Sequence, residues 1–340
     1  MQTLRAATTA TAKTTSDSRT TDKPAGIIGD GAPPPVRLTP ASGIGFNTNL
    51  RDMLLYVNKN EVIYAIGKYV ALQNIHSQKM SFFEPPPSKD HDSTSSVRLG
   101  DICALAITSA AYGELHLNLL PQGPERGVHI VLFHSMSSCC FLQGDDSARW
   151  SRLTPIRTLT YDTHSFTSVA FSHDGKFVVA QSTTSEWTFA LWDWTRARQV
   201  AVAEAHSKVT RICFNPVDVA QISTSGGVHL RLWRLTEPTC RPFATFNSAN
   251  SAIRYVDHTW VGTTDGIVAV LDNGDVQFFR NGELLRTIPM LHHGHVLQCV
   301  QSFKTSVVVG GDRGWLSVLE VDAFNGADIH MVKRMRIDSK

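Results

Sequence analysis

The 340-residue chain has no surplus of either charge: 32 Lys and Arg stand against 30 Asp and Glu, a formal net charge of +2. That balance excludes the basic footprint on which binding to nucleic acid or an anionic membrane depends. No run of about eighteen apolar residues occurs, so nothing reads as a membrane-spanning helix. The N-terminus also lacks the apolar core of a secretory signal. Among six cysteines, at 103, 139, 140, 213, 240 and 299, there is no Cys-x-x-Cys pair. Several sit in apolar strand patterns and read as reduced, buried thiols of an intracellular compartment. Cys139 and Cys140 would point to opposite faces of a strand, which leaves zinc without its partners. No Gly-x-x-x-x-Gly-Lys-Ser/Thr is present, so Gly226-Gly227 and Gly310-Gly311 read as turns rather than phosphate cradles. Large apolar residues are scarce before Pro40. Residues 1–41, rich in Ser, Thr and Pro, are therefore expected to be a disordered tail. Arg5, Lys13 and Arg19 lend the tail a mitochondrial look that Asp17 and Asp22 interrupt.

What the chain does contain is a repeat. Phe166-Thr-Ser-Val-Ala-Phe171 aligns with Val209-Thr-Arg-Ile-Cys-Phe214, placing Phe171 and Phe214 43 positions apart. Trp192 and Trp233 are 41 apart, and His164 and His206 are 42 apart. A period near forty, with a His ahead of an apolar strand and a Leu-Trp pair closing a later one, is the WD40 pattern of four strands per propeller blade. No long 3.6-residue apolar period competes with it after Ile44. The fold class is all-β, a WD40 β-propeller over residues 42–340 with about six recognisable blades.

Blade one reads as Met53 to Val57, Glu61 to Ile66, Tyr69 to Asn74 and Lys79 to Glu84, followed by a loop from Pro85 to Ser96. Blade two reads as Ile102 to Ile107, Glu114 to Leu120, Val128 to Phe133 and Ile156 to Thr160, with an inserted surface segment, Ser135 to Pro155, between its third and fourth strands. Blades three and four are Thr167 to Val202 and Val209 to Phe246. In blade three, Ser172-His173-Asp174-Gly175 is a hairpin turn. Blade five runs through Ala252 to Val261, Ile267 to Leu271, Asp275 to Phe279 and Glu283 to Ile288. Blade six runs from Val307 through Trp315 to Val321 and ends at Met331 to Ile337. Pairing Gly274 with Gly314 sets a 40-residue frame that matches Asp272 to Asp312, in preference to a 48-residue frame matching Val261-Gly262 to Val309-Gly310. Six blades leave two endings: a ring closed with help from Ser42 to Asn47, or the front part of a longer protein, which is preferred.

Three stretches carry a family resemblance. They are Glu186-Trp-Thr-Phe-Ala-Leu-Trp-Asp-Trp194, then Cys213-Phe-Asn-Pro216 with Gln221-Ile-Ser-Thr-Ser-Gly226 and Leu232-Trp233, and the start of blade one, Val62-Ile-Tyr-Ala-Ile-Gly-Lys-Tyr-Val-Ala-Leu72. Together the chain resembles the cilia- and flagella-associated WD-repeat proteins from roughly Leu50 to Ile288. Trp187 lifts the match above a generic WD40 one, because ordinary blades place Asp, Gly or Ser there. The second propeller and long helical tail of that family are missing from this sequence. The resemblance implies a non-enzymatic scaffold of the motile axoneme, in the cytoplasm and cytoskeleton, with tubulin, axonemal dynein or neighbouring axonemal adaptors as partners. A general cytoplasmic adaptor, such as a substrate receptor for a ubiquitin ligase, is the alternative.

The candidate contact surface is the rim where turns between second and third strands emerge, carrying Glu186, Trp187, Asp272, Asp312 and Arg313. Aromatic and Arg side chains are favoured anchors, so Trp187 and Arg313 come first. A core-facing plug is the equal alternative for Trp187. His206, Trp192, Asp193 and Trp233 are read as structural. His206 is expected to bond Ser223 or Thr224 and so reach the Trp233 indole, which satisfies buried polar groups rather than building a catalytic relay. Arg234 stands where the relay acid would belong. His292, His293 and His295 invite a metal, but Gly294-His295 is the dipeptide that opens a WD40 blade, and no metal is assigned. Lys333-Arg334-Met335-Arg336 reads as a solvated edge. No catalytic set, cofactor, small-molecule substrate, nucleic acid or membrane is expected.

Overall fold

The computed structural model describes residues 54–58, 60–66, 69–83, 166–183, 186–248, 250, 252–262, 264–290, 296–303, 305–322 and 328–337, together with the backbone of four strands between 102 and 160. The expected tail, its boundary at 42, the segment Glu114 to Leu120 and the three histidines at 292, 293 and 295 lie outside the described residues.

The described residues form six four-stranded antiparallel blades in sequence order. Blade one is β1 (Leu54–Asn58), β2 (Glu61–Ile66), β3 (Tyr69–Asn74) and β4 (Met80–Phe83). Blade two is β5 (Ile102–Ile107), β6 (His129–His134), β7 (Ser138–Gly144) and β8 (Leu153–Thr160). Blade three is β9 (Phe166–Phe171), β10 (Phe177–Ser182), β11 (Thr188–Asp193) and β12 (Arg198–Glu204). Blade four is β13 (Arg211–Phe214), β14 (Gln221–Gly226), β15 (His229–Thr236) and β16 (Thr239–Asn247). Blade five is β17 (Tyr255–Trp260), β18 (Ile267–Leu271), β19 (Asp275–Arg280) and β20 (Glu283–Pro289). Blade six is β21 (Leu297–Phe303), β22 (Ser306–Gly311), β23 (Trp315–Val321) and β24 (Ile329–Arg336). Blades three and four also touch edge to edge through one parallel bridge, Val202 to Thr239.

Blade two departs from the sequence reading. Its second strand is β6, paired directly with β5, and its third is β7, paired with both β6 and β8. Ser135 to Pro155 is therefore not an insertion between third and fourth strands, because it contains the third strand. Cys139-Cys-Phe-Leu142 supplies the apolar run of that strand, and the second-strand position expected for Glu114 to Leu120 is held by β6. The 40-residue frame is the one the fold uses: Asp272 and Asp312 each follow directly on the second strand of their blade. Gly310 and Gly311 lie within β22 rather than in a turn. Gly226 ends β14 at φ +155°, where a Cβ would stand 2.4 Å from the Lys208 carbonyl oxygen, so only glycine fits.

The core lies in layers between blades. Phe189, Leu191, Ile212, Ile222 and Trp233 fill the layer between blades three and four. Leu232, Tyr255, Trp260 and Phe279 fill the next, and Val268, Val270, Phe278, Val309 and Leu319 the one after. A sheet covered on both faces has no polar side, which is why β18 reads Ile-Val-Ala-Val-Leu and is buried throughout. In β23 Ser317 and Leu319 are buried while Leu316 and Val318 are half-buried, so one face of blade six is better covered than the other.

Burial also separates the thiols. Desolvation pushes the Cys240 thiol up to about 12, whereas Cys299 is exposed. A thiolate is the reactive form. Alkylation of the native protein at pH 8, read by peptide mass spectrometry, is expected to label Cys299 within minutes and Cys240 only in denaturant. Equal native labelling of the two would contradict this packing.

Candidate interaction rim

Blades with parallel inner strands place every turn between second and third strands on one rim, together with the connections from one blade to the next. Glu186 and Trp187 occupy this position in blade three, Asp272 in blade five, and Asp312 and Arg313 in blade six. They share the rim but stand in different blades.

Trp187 adopts φ +52°, a region that costs a bulky L-residue about 1–2 kcal/mol. Two groups of contacts hold it there. Its carbonyl accepts from Ala205 N–H at 3.2 Å, and its indole, half-buried, packs against the layer containing Phe189 and Trp233. Trp187 is thus both partly exposed on the rim and partly inserted in the core, which joins the two alternatives read from the sequence. Glu186 beside it is exposed. Its carbonyl accepts from His206 N–H at 3.0 Å.

Asp272 and Asp312 do one identical thing. Asp272 Oδ1 accepts from Arg254 N–H at 2.9 Å, while Asp272 N–H donates to the Arg254 carbonyl at 2.9 Å. Asp312 Oδ1 accepts from Val296 N–H at 3.1 Å, and its N–H donates to the Val296 carbonyl at 2.9 Å. Each carboxylate ties its turn to the segment that enters the same blade. Arg313, at φ +54°, is 70% exposed, with its Nε 3.8 Å from Asp312 Oδ2. It is the more exposed member of that ion pair. The next residue, Gly314, could not carry a Cβ, which would stand 2.8 Å from the Ile337 carbonyl oxygen.

The residues read as structural separate into two groups. Trp192, Asp193 and Trp233 are buried. Trp233 Nε1 donates to Thr224 Oγ1 at 2.8 Å, and its ring meets Phe189 edge-on at 5.0 Å. Asp193 Oδ1 accepts from Thr195 Oγ1 at 2.6 Å and Arg196 N–H at 3.2 Å, closing the turn after β11. His206 does something else. Its side chain is exposed, with Nδ1 3.4 Å from Glu186 Oε2 and Nε2 3.6 Å from Glu204 Oε2. The His206 bond to Ser223 or Thr224 is not formed, because His258 from the next blade occupies that place.

His258 Nδ1 lies 2.6 Å from Ser225 Oγ and its Nε2 2.7 Å from Ser223 Oγ, and Trp260 Nε1 donates to Ser223 Oγ at 2.8 Å. Asp257, at 0% exposure, accepts from His258 N–H and Val300 N–H, both at 2.9 Å. Arg211 Nε stands 3.4 Å from Asp257 Oδ1, and its Nη2 donates to Gln301 Oε1 at 3.5 Å. Arg211, Asp257 and Gln301 lie on the inner strands of blades four, five and six, so this joint couples three blades. Ser, His and Asp all occur here, yet Asp257 bonds the His258 backbone rather than its ring, and both ring nitrogens face serines. A relay needs the acid to orient the base, and a substrate needs access. Neither condition is met in this buried joint. The sequence signal was Asp257-His258 interrupting an otherwise apolar strand, where buried polar groups must find partners.

No family model matches the chain. Curated relatives match parts of it, two of them as follows. It is 24% identical over 131 residues to cilia- and flagella-associated protein 57 of Mus musculus, covering 38% of this chain and 10% of the relative. It is 24% identical over 165 residues to cilia- and flagella-associated protein 44 of Trypanosoma brucei brucei, covering 43% of this chain and 9% of the relative. The matches thus span a tenth or less of each relative's length. Among solved structures, the WD40 repeats of RRP9 superpose with a TM-score of 0.59 at 11% identity, over 84% of this chain and 80% of that one. The fold is a WD40 β-propeller, and the chain is similar to cilia- and flagella-associated proteins.

Proposed function

We propose that the chain is a non-enzymatic scaffold of the motile cilium or flagellum, in which the propeller rim docks a doublet-microtubule or dynein-regulatory component of the axoneme. The observation that carries this reading is the similarity to cilia- and flagella-associated proteins 57 and 44 in a chain that folds as a propeller. The rim supports it: Trp187 is held at positive φ with part of its indole exposed, and Arg313 projects from the equivalent turn of blade six. Aromatic and Arg residues on rigid turns lose little entropy on docking and anchor interfaces well.

The test is retention on the demembranated axoneme. A C-terminally tagged protein expressed in a flagellated cell is expected to stay with the axoneme through detergent extraction. Release between 0.15 and 0.6 M salt, roughly two Debye-length regimes, measures the share carried by charge. Trp187→Ala together with Arg313→Ala is expected to reduce retention by tenfold or more, each anchor supplying about 1–2 kcal/mol. A fully soluble cytoplasmic signal from the natural full-length protein would reject the axonemal reading in favour of the general adaptor.

A further inference from the structure

We propose that Glu186, Glu204 and His206 form a binding site for a first-row divalent cation of the zinc class on the rim of blade three. The site is built by the ladder between β11 and β12. Thr188 pairs with Glu204, and the ladder continues through Ala205 N–H to the Trp187 carbonyl and His206 N–H to the Glu186 carbonyl. In an antiparallel ribbon, residues directly opposite one another and residues two apart on one strand share a face. Glu186 lies opposite His206, and Glu204 lies two residues before it. One ligand atom from each residue falls within 4.8 Å of the others. Tetrahedral ligand bonds of about 2.0–2.2 Å place ligand atoms about 3.4 Å apart, so ion binding draws the three exposed side chains closer together by rotamer changes.

Two further features favour an ion. The platform is fixed from below, because Arg231 donates to the Ala205 carbonyl and to Ser207 Oγ. Both of these acceptors are uncharged, and among the described residues Arg231 makes no ion pair with Glu186 or Glu204. Among the described residues, Glu186 and Glu204 have only His206 as an ionic partner. Two carboxylates converging on one imidazole carry a local negative charge that a divalent cation neutralises. A mixed imidazole and carboxylate set suits zinc and its neighbours, whereas magnesium and calcium prefer oxygen alone. Three protein ligands leave coordination positions for water or for a donor from a docked protein.

The experiment is calorimetric titration of the full chain with ZnCl2 in a non-chelating buffer, with thermal melts of each variant as a folding control. The parent is expected to bind one equivalent that His206→Ala and the double variant Glu186→Gln with Glu204→Gln both lose, without any change in melting, because the three side chains are exposed. The triple variant His292→Ala, His293→Ala and His295→Ala is expected to keep that equivalent. Equal stoichiometry in the parent and His206→Ala overturns the proposal. So does loss of the equivalent only in the triple variant, or an equal heat with MgCl2, which marks ordinary carboxylate screening.

Discussion

Asp257→Ala is expected to destabilise the propeller by about 3–5 kcal/mol, the range for breaking a buried ion pair by deleting one partner. The cost comes from what remains. Arg211, its side chain 11% exposed, keeps its charge largely removed from water, and the N–H groups of Val300 and His258 lose the carboxylate that accepts them. Urea unfolding followed by tryptophan fluorescence reads the change as a shift in midpoint at unchanged slope. Combining Arg211→Met with Asp257→Ala removes the stranded charge and is expected to restore part of the loss, since an apolar replacement of a whole pair is often neutral. Recovery stays partial because Val300 N–H still lacks its acceptor. A single Asp257→Ala variant within 1 kcal/mol of the parent would show that water reaches the joint, contrary to its burial.

Trp233→Ala is expected to cost about 3–5 kcal/mol, as large-to-small changes of buried aromatic residues do. At 2% exposure the ring has no room to be replaced by solvent without leaving a cavity between blades three and four. Phe189 loses its edge-on partner, and Thr224 loses the donor to its hydroxyl. Trp233→Phe keeps most of the apolar area and loses the indole N–H, so about 1 kcal/mol is expected for the hydrogen bond with a further packing loss. Trp187→Ala is the informative contrast. It removes only a half-buried ring, and Ala holds φ +52° at no greater cost than Trp, so a smaller loss of about 1–2 kcal/mol is expected. If Trp187→Ala proved as damaging as Trp233→Ala, Trp187 would act as a core plug, and the rim would lose its aromatic anchor.

The repeat was legible because a blade imposes one period on many independent positions. Trp192 and Trp233 mark third strands in both blades, and the turn aspartates Asp272 and Asp312 fall at matching places because each closes its turn on the segment entering its blade. Blade two was misread at its third strand, since a short apolar run such as Cys139-Cys-Phe-Leu142 looks the same whether it pairs or decorates a loop. The rim's sequence pattern located Trp187 and Arg313 on exposed turns, but nothing local says that Trp187 is half inserted in the core.

His206 and His258 show where local reading ends. Both are histidines near a blade entrance, and sequence spacing favours His206 for the serines of blade four. The fold gives those serines to His258, because His206 N–H is committed to Glu186 at the end of the β11 and β12 ladder and its ring is carried to the surface. The sequence alone determined the all-β class, the four-strand period and the turns, since these depend on residues within about forty positions of each other. Only the tertiary structure decided which polar groups meet: Arg211, buried Asp257 and exposed Gln301 come together across three inner strands, and desolvation of Asp257 makes its partners a property of the packed blades.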